Sequence, residues 1–308
     1  MRMSDRAWAE MMLLGLIWGA SFTTVAVAIR EMGPFQAVLW RTGLGAVVLW
    51  GAVASIRARA PATWRFWGAC TVMGILNNVI PFTLMAWGQQ SIESGLTSIL
   101  NASAAVFGAL VAAAVLRDER LTARRAMGVA LGVAGVAAIT GAEALTGLDP
   151  RSLGQLAVLG GALSYAFAST WGRLTLGGAS PIAAAAGMCT MAFLTMIPLT
   201  LAIEGPPPLD LSPRAWAAVA FYGIAGTGFA YVIYWRLIAS AGAANALLVT
   251  LVTPPAAILL GRLLLDETLP PHAYLGLGLI AAGLAVIDGR LIARFRRRRD
   301  ARIGGNAP

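Results

Sequence analysis

Leu116-Arg117-Asp118-Glu119-Arg120-Leu121 and Leu264-Leu265-Asp266-Glu267-Thr268-Leu269 repeat one pattern, an apolar run that closes on Asp-Glu and resumes at a leucine. A shift of 148 positions lays the two carboxylate pairs on each other, and it also brings Trp87 onto Trp235, Gly128 onto Gly276 and Gly135 onto Gly283. Near the start of each half, Gly15 and Phe22 match Gly160 and Phe167 at a slightly smaller shift. The chain therefore reads as one unit written twice, and each half inherits the constraints of the other.

What surrounds the two copies fixes the solvent in which they fold. Of 308 residues, 58% are hydrophobic and 12% charged, against roughly 25% charged in soluble domains. Apolar stretches run Trp8–Ala28, Phe35–Ile56, Trp67–Trp87, Leu96–Leu116, Ala126–Ala142, Leu153–Gly172, Ile182–Ile203, Trp216–Leu237, Ala244–Leu265 and Ala273–Ile287. Most are close to the ~20 residues that cross a ~30 Å hydrocarbon core; the fifth and tenth are shorter and call for tilt or local thinning. The fold predicted is all-α and integral to the membrane, with ten transmembrane helices. The basic start followed by Trp8–Ala28 imitates a secretory signal, but it reads as a retained first span.

Arginine sets the orientation, because short cytoplasmic loops keep positive charge. With the N-terminus inside, Arg2, Arg6, Arg57, Arg59, Arg65, Arg117, Arg120, Arg124, Arg125, Arg173, Arg236 and the seven arginines from Arg290 onward are cytoplasmic. Only Arg30, Arg151 and Arg214 fall outside. The loop at Glu119 carries four arginines and its counterpart at Glu267 none, as loops on opposite sides should. Five helices per half make the second half enter upside down. The predicted units are 1–148 and 149–293, two inverted repeats with both termini cytoplasmic, then an arginine-rich tail, 294–308.

The net charge of +9 comes largely from that tail, which reads as a contact for anionic lipid headgroups and not as a nucleic-acid arm. Cys70 and Cys189 are isolated, and His272 is the single histidine, so neither a disulfide framework nor a metal site is expected. No phosphate-binding loop or catalytic triad pattern is present. The chain is read as a non-enzyme without a cofactor. Gly15 with Gly19, and Gly128 with Gly132, have the spacing of close helix packing. An inverted pair of repeats is the common build of secondary transporters, whose halves open alternately.

The pattern Trp18-Gly19-Ala20-Ser21-Phe22, Pro34 followed by Arg41, Asp118-Glu119-Arg120-Leu121-Thr122 with Gly128 and Gly135, and Asp266-Glu267-Thr268-Leu269 with Gly276 and Gly283 resembles an EamA-type member of the drug/metabolite transporter superfamily. The resemblance spans essentially the whole chain. It implies two EamA repeats in the cytoplasmic (inner) membrane and movement of small metabolites, often amino acids and often outward. Such families carry a proline in the fourth helix as well as the ninth; here the ninth has Pro254 and Pro255, and the fourth reads Asn101-Ala102-Ser103. A kinked, gating ninth helix and a straighter fourth are expected.

Polar groups at membrane depth are costly unless they face protein or a wet cavity. Asn77, Asn78 and Pro81 on the third helix, Thr97 and Asn101 on the fourth, Thr227 and Tyr231 on the eighth, and Asn245 and Thr253 on the ninth are read as converging on a central substrate pathway. Cross-helix bonding and core packing are the competing readings. Trp18 and Tyr165, in corresponding helices of the two halves, are candidate stacking residues, and Tyr234 with Trp235 is read equally as an interfacial belt. Arg41, about two turns into its helix, offers a guanidinium for a substrate carboxylate or snorkels to the interface. No carboxylate stands at mid-membrane, which points to a zwitterionic or neutral substrate with weak or absent proton coupling. Amino-acid export leads; a multidrug exporter on the same fold and a passive channel are the alternatives.

Overall fold

The computed structural model describes residues 4–116, 122–140, 150–242, 246 and 248–288. Among them the chain is helical throughout, without a strand. The helices are α1 Asp5–Ala28, α2 Pro34–Ser55, α3 Trp64–Gly88, α4 Ser94–Val115, α5 Ala123–Thr140, α6 Pro150–Thr175, α7 Pro181–Ile203, α8 Pro213–Ala241, α9 Val249–Leu265 and α10 Pro271–Asp288. Five begin on proline, whose missing N–H costs nothing in a first turn. Ser4, Thr63 and Ser212 cap α1, α3 and α8, each accepting from an N–H three residues on. By length and composition α1 to α4, α7 and α8 can each cross a membrane, and α9 is a shorter apolar helix. Side chains such as Val47 and Leu263, 70% and 67% exposed, face outward where a soluble protein would be polar. The first Asp-Glu pair, Asn245 and the arginine-rich tail lie outside the described residues.

The fourth helix corrects the expectation that it runs straighter. It is interrupted at Ala102–Ser103, where the Ser103 N–H and hydroxyl both donate to the Leu100 carbonyl, at 3.1 and 2.6 Å. A hydroxyl back-bonded to its own helix bends the chain without a proline. The ninth helix runs unbroken through Pro254 and Pro255. Its Thr253 hydroxyl bonds the Val249 carbonyl at 2.9 Å.

The helices pack as though each could be exchanged with the one five places on. α2 lies against α7, α4 against α9, and α5 against α10. The contact of α1 with α9 is matched by α6 with α4, α1 with α8 by α6 with α3, and α2 with α8 by α7 with α3. In the α5–α10 pair, a Cβ on Gly128 would stand 2.7 Å from the Gly283 carbonyl oxygen, and one on Gly135 would stand 2.8 Å from that of Gly276. Early α5 thus meets late α10, so the two run antiparallel. Bare backbone at these points permits that approach. Gly15 and Gly19 serve likewise against Val252 and Ala256 of α9.

Four glutamates tie the halves together at one end of the bundle, referred to below as the acidic end. Glu204 accepts from the Phe35 and Gln36 N–H groups at 3.2 and 2.9 Å, at the start of α2. Glu267 accepts from the Ser94 N–H at 2.9 Å and its hydroxyl at 2.7 Å, at the start of α4. Glu31 accepts from the Ser212 hydroxyl and N–H, at 2.6 and 2.7 Å, and Glu93 pairs with Arg151 at 3.1 Å. Carboxylates suit helix starts because orphan N–H groups and the helix dipole both favour negative charge there. At the opposite end Glu10 of α1 bonds Arg236 of α8 and Arg6.

The Ser212 hydroxyl, and then its N–H, hold the Glu31 carboxyl below its ordinary value of 4.5. A carboxyl lowered in the folded state stabilises above its unfolded value, and that stabilisation is lost as pH falls through the lowered folded value. Glu31→Gln is therefore expected to lower the melting temperature slightly at neutral pH. The difference from wild type should vanish once the medium is more acidic than the folded value, which paired thermal melts against pH will check.

Candidate functional site

Arg41 of α2 is the centre of the site. It is only 9% exposed, so its charge has been taken out of solvent and must be held by protein. Its Nε donates to the Thr227 hydroxyl of α8 at 2.8 Å. Its guanidinium carbon lies 3.5 Å from the ring centre of Phe82 and 4.1 Å from that of Tyr222. Two aromatic faces supply the negative quadrupole that partly replaces lost hydration. Among the described residues Arg41 makes no ion pair. The close approach of α2 to α8 depends on glycine: a Cβ on Gly45 would stand 2.6 Å from Thr227 Cγ2, and one on Gly223 would stand 2.6 Å from Leu44 Cβ.

A turn away, on α3 and α8, lies a second polar group. The Asn77 amide donates to the Tyr231 hydroxyl at 2.9 Å and to Asn78 Oδ1 at 3.2 Å, and Tyr231 donates to Asn78 Oδ1 at 3.3 Å. Asn78 is wholly buried, and its amide reaches Cys189 Sγ of α7 at 3.6 Å. Residues four apart stack on one helix face, which puts Asn78 below Phe82 on α3 and Tyr231 below Thr227 on α8. At the shift of 148 Arg41 falls on Cys189, so corresponding helices supply both, and only the first half carries the cation.

Both helices are locally rewound where they bear these groups. α3 is a π-helix over Ile75–Val79 and α8 over Phe221–Phe229, positions that overlap at the same shift. In α3, Pro81 has no N–H to give the Asn77 carbonyl, and the Ile80 N–H reaches back five residues to Ile75. The carbonyls freed by rewinding are used by side chains: Ser164 donates to Leu76 at 2.7 Å, and Thr227 to Tyr222 at 3.3 Å. π segments recur at functional sites because they re-aim side chains and release carbonyls.

The other sequence candidates are dispersed. Tyr165 stands edge-on to Phe82 at 6.4 Å, beside the Arg41 group, whereas Trp18 packs on Tyr234 at 5.5 Å in a different cluster. Thr97 is wholly buried with its hydroxyl on the Glu93 carbonyl, and Thr253 likewise bonds its own helix. Asn101, at the break in α4, has a buried Oδ1 without a hydrogen-bond partner. Pro81 meets Gly161 of α6; Pro254 is buried and Pro255 exposed. Phe82 and Tyr222 are not among the sequence candidates, because aromatic residues belong to the apolar background of a membrane span. Their signal was spacing, four residues after Asn78 and five before Thr227. Among the described residues no three His, Cys, Asp or Glu could hold a metal ion.

Comparison with known proteins bears on what such an arrangement serves. The sequence model of the EamA-like transporter family matches residues 8–141 and 152–288. The chain is 26% identical over 270 residues to the uncharacterized transporter YoaV of Bacillus subtilis, covering 87% of this chain and 92% of that protein. It is 26% identical over 298 residues to a probable terminal-alkyne amino-acid exporter of Streptantibioticus cattleyicolor, covering 96% and 97%. The uncharacterized inner membrane transporter YedA of Escherichia coli K12 is 24% identical, covering 89% and 88%. One solved crystal structure superposes with a TM-score of 0.64 at 20% identity, over 94% of this chain and 99% of that one, a likeness of fold alone.

Proposed function

The chain belongs to the EamA-like transporter family, and on that premise we propose that it is a multi-pass carrier of the cytoplasmic membrane that exports amino acids or related zwitterions by alternating access. Its ten helices form two inverted repeats, 1–148 and 149–293, with both termini cytoplasmic and the tail 294–308 on anionic headgroups. The exchange relation among helix contacts supports the two-repeat reading, because halves that are near-equivalent can open in turn to either side.

The observation that carries the substrate class is Arg41, a buried cation held by Thr227 and two aromatic rings without a described carboxylate partner. A guanidinium placed so binds a carboxylate in bidentate fashion once the substrate enters. Phe82, Tyr222 and Tyr165 offer the apolar surface for the remainder of the molecule. The exporter from Streptantibioticus cattleyicolor, named for an amino acid, supports the same class.

The test is counterflow in proteoliposomes with a panel of labelled amino acids, with and without an imposed pH gradient. Saturable exchange of one chemical group, little changed by the gradient, is the expected result. Non-saturable flux would replace the carrier by a channel. Exchange confined to lipophilic cations would replace the substrate class by drugs.

A further inference from the structure

A cavity of about 380 Å³ opens at the acidic end of the bundle, where α1 and α3 run out beside the Asp-Glu turn after α9. Its wall combines Arg30, Gln89, Gln90 and Glu267 with the apolar Ile29 and Ile92. The volume falls in the range of small-molecule sites, and the wall carries both signs of charge. Arg30 makes no ion pair among the described residues. Glu267 is held by Ser94 and by the Gly95 N–H at 3.3 Å; its Oε2 accepts two of these bonds and its Oε1 one, so Oε1 keeps lone-pair capacity.

Gln89 is the anomaly. It is 8% exposed, yet neither its amide nitrogen nor its amide oxygen has a hydrogen-bond partner. A buried amide unmade on both atoms forfeits its hydration for nothing, unless something else completes it. Gln89 also sits just past the end of α3, so its backbone N–H is already committed to the Met85 carbonyl at 3.0 Å. Its side chain lines the cavity with the amide closed off from solvent, so a rotation about that side chain is what brings the amide to a ligand.

We propose that this cavity is a second binding site, distinct from the Arg41 site, for a small zwitterion carrying a carboxylate and an ammonium group. Arg30 receives the carboxylate, Glu267 the ammonium, and the Gln89 amide donates to and accepts from the same molecule. The wall joins the two halves, with Arg30 and Gln89 from the first and Glu267 from the second. Occupancy therefore bears on the Glu267 tie to α4. The inference rests on the reading above only in taking amino acids as the molecules that reach this end, whether released from within or presented from without.

The experiment is equilibrium binding to the full chain in nanodiscs, with L-alanine as probe and L-alaninamide and propionate as analogues lacking one charge each. On an Arg41→Ala background, saturable alanine binding should persist at one equivalent, weakened at least about tenfold for either analogue. On that background Arg30→Gln and Gln89→Met should each weaken it by a similar factor, whereas the wild type should bind a second equivalent through Arg41. Gln89→Met replaces the amide by an apolar chain of similar size, so a thermal melt keeps a folded variant distinguishable from a lost one. Alanine binding that disappears with Arg41→Ala would overturn the second site and leave the carrier reading standing. Binding that survives Arg41→Ala but ignores Arg30→Gln and Gln89→Met would overturn the assignment to this cavity. A single equivalent in the wild type, lost through Arg30 and Gln89 and untouched by Arg41→Ala, would sustain this site and sink the carboxylate role of Arg41. Two-sided vesicles separate the sources: alanine added only outside reports on ligand from without, and preloaded alanine on ligand from within.

Discussion

Arg41→Ala should cut amino-acid exchange at low substrate by about two orders of magnitude while the protein still inserts and purifies. A desolvated, charge-assisted contact is worth about 1.5–3 kcal/mol, and each 1.4 kcal/mol is tenfold. Arg41→Lys should recover little of it. An ammonium is a point charge that forms neither the bidentate pair nor the flat stack between Phe82 and Tyr222. Thr227→Val should cost less, since it removes one bond to Nε and leaves the charge in place. The check is initial-rate counterflow over a range of substrate concentration. A loss confined to apparent affinity would place Arg41 in ground-state binding, and one in maximal rate would place it in the conformational cycle. Unchanged exchange with Ala would return Arg41 to a purely structural role.

Substitution at the α5–α10 contact should give the largest loss of stability. A Cβ on Gly128 or Gly276 would stand 2.7 or 2.8 Å from a carbonyl oxygen of the facing helix. Backbone cannot rotate away as a side chain does, so the helices must separate along their length. Overpacking of a tight interior typically costs about 1–3 kcal/mol, and Gly128→Ala with Gly276→Ala should together lie at or above its upper end. Gly108→Ala is the internal control, because nothing stands within 4 Å of a Cβ there, and alanine favours a helix by about 1 kcal/mol over glycine. Melting or aggregation half-times of the purified variants should move in opposite directions for the two sites.

Both expectations begin in the sequence, and they show how far it carries. The paired Asp-Glu motifs and the matching glycines are legible because repeats depend on pattern alone. Arg41 stood out because a charge inside an apolar run is rare. What polar residues do once buried was not legible: Thr97 and Thr253 satisfy their hydroxyls on their own helices, which any threonine in a helix can do. Trp18 and Tyr165 occupy matching places yet meet different partners, since packing surroundings differ between the halves. The break at Ser103 has a serine for its cause, and the π segments have no composition of their own. Of the four glutamates at the acidic end, the sequence says only that they stand away from mid-membrane. Which helix start a carboxylate reaches is decided by tertiary approach.

The α5–α10 contact also has the form of a self-complementary subunit interface. Gly128 meets Gly283 and Gly135 meets Gly276, and by the shift of 148 these are the same two positions read in the opposite order. That is the isologous rule for a two-fold dimer, in which residue i of one copy meets j of the other and j meets i. The contact between the two helices is itself made of non-covalent approaches only. Two separately synthesised halves, cut within the segment 141–149, would carry the surface needed to find each other in the bilayer and dock as an antiparallel two-fold pair.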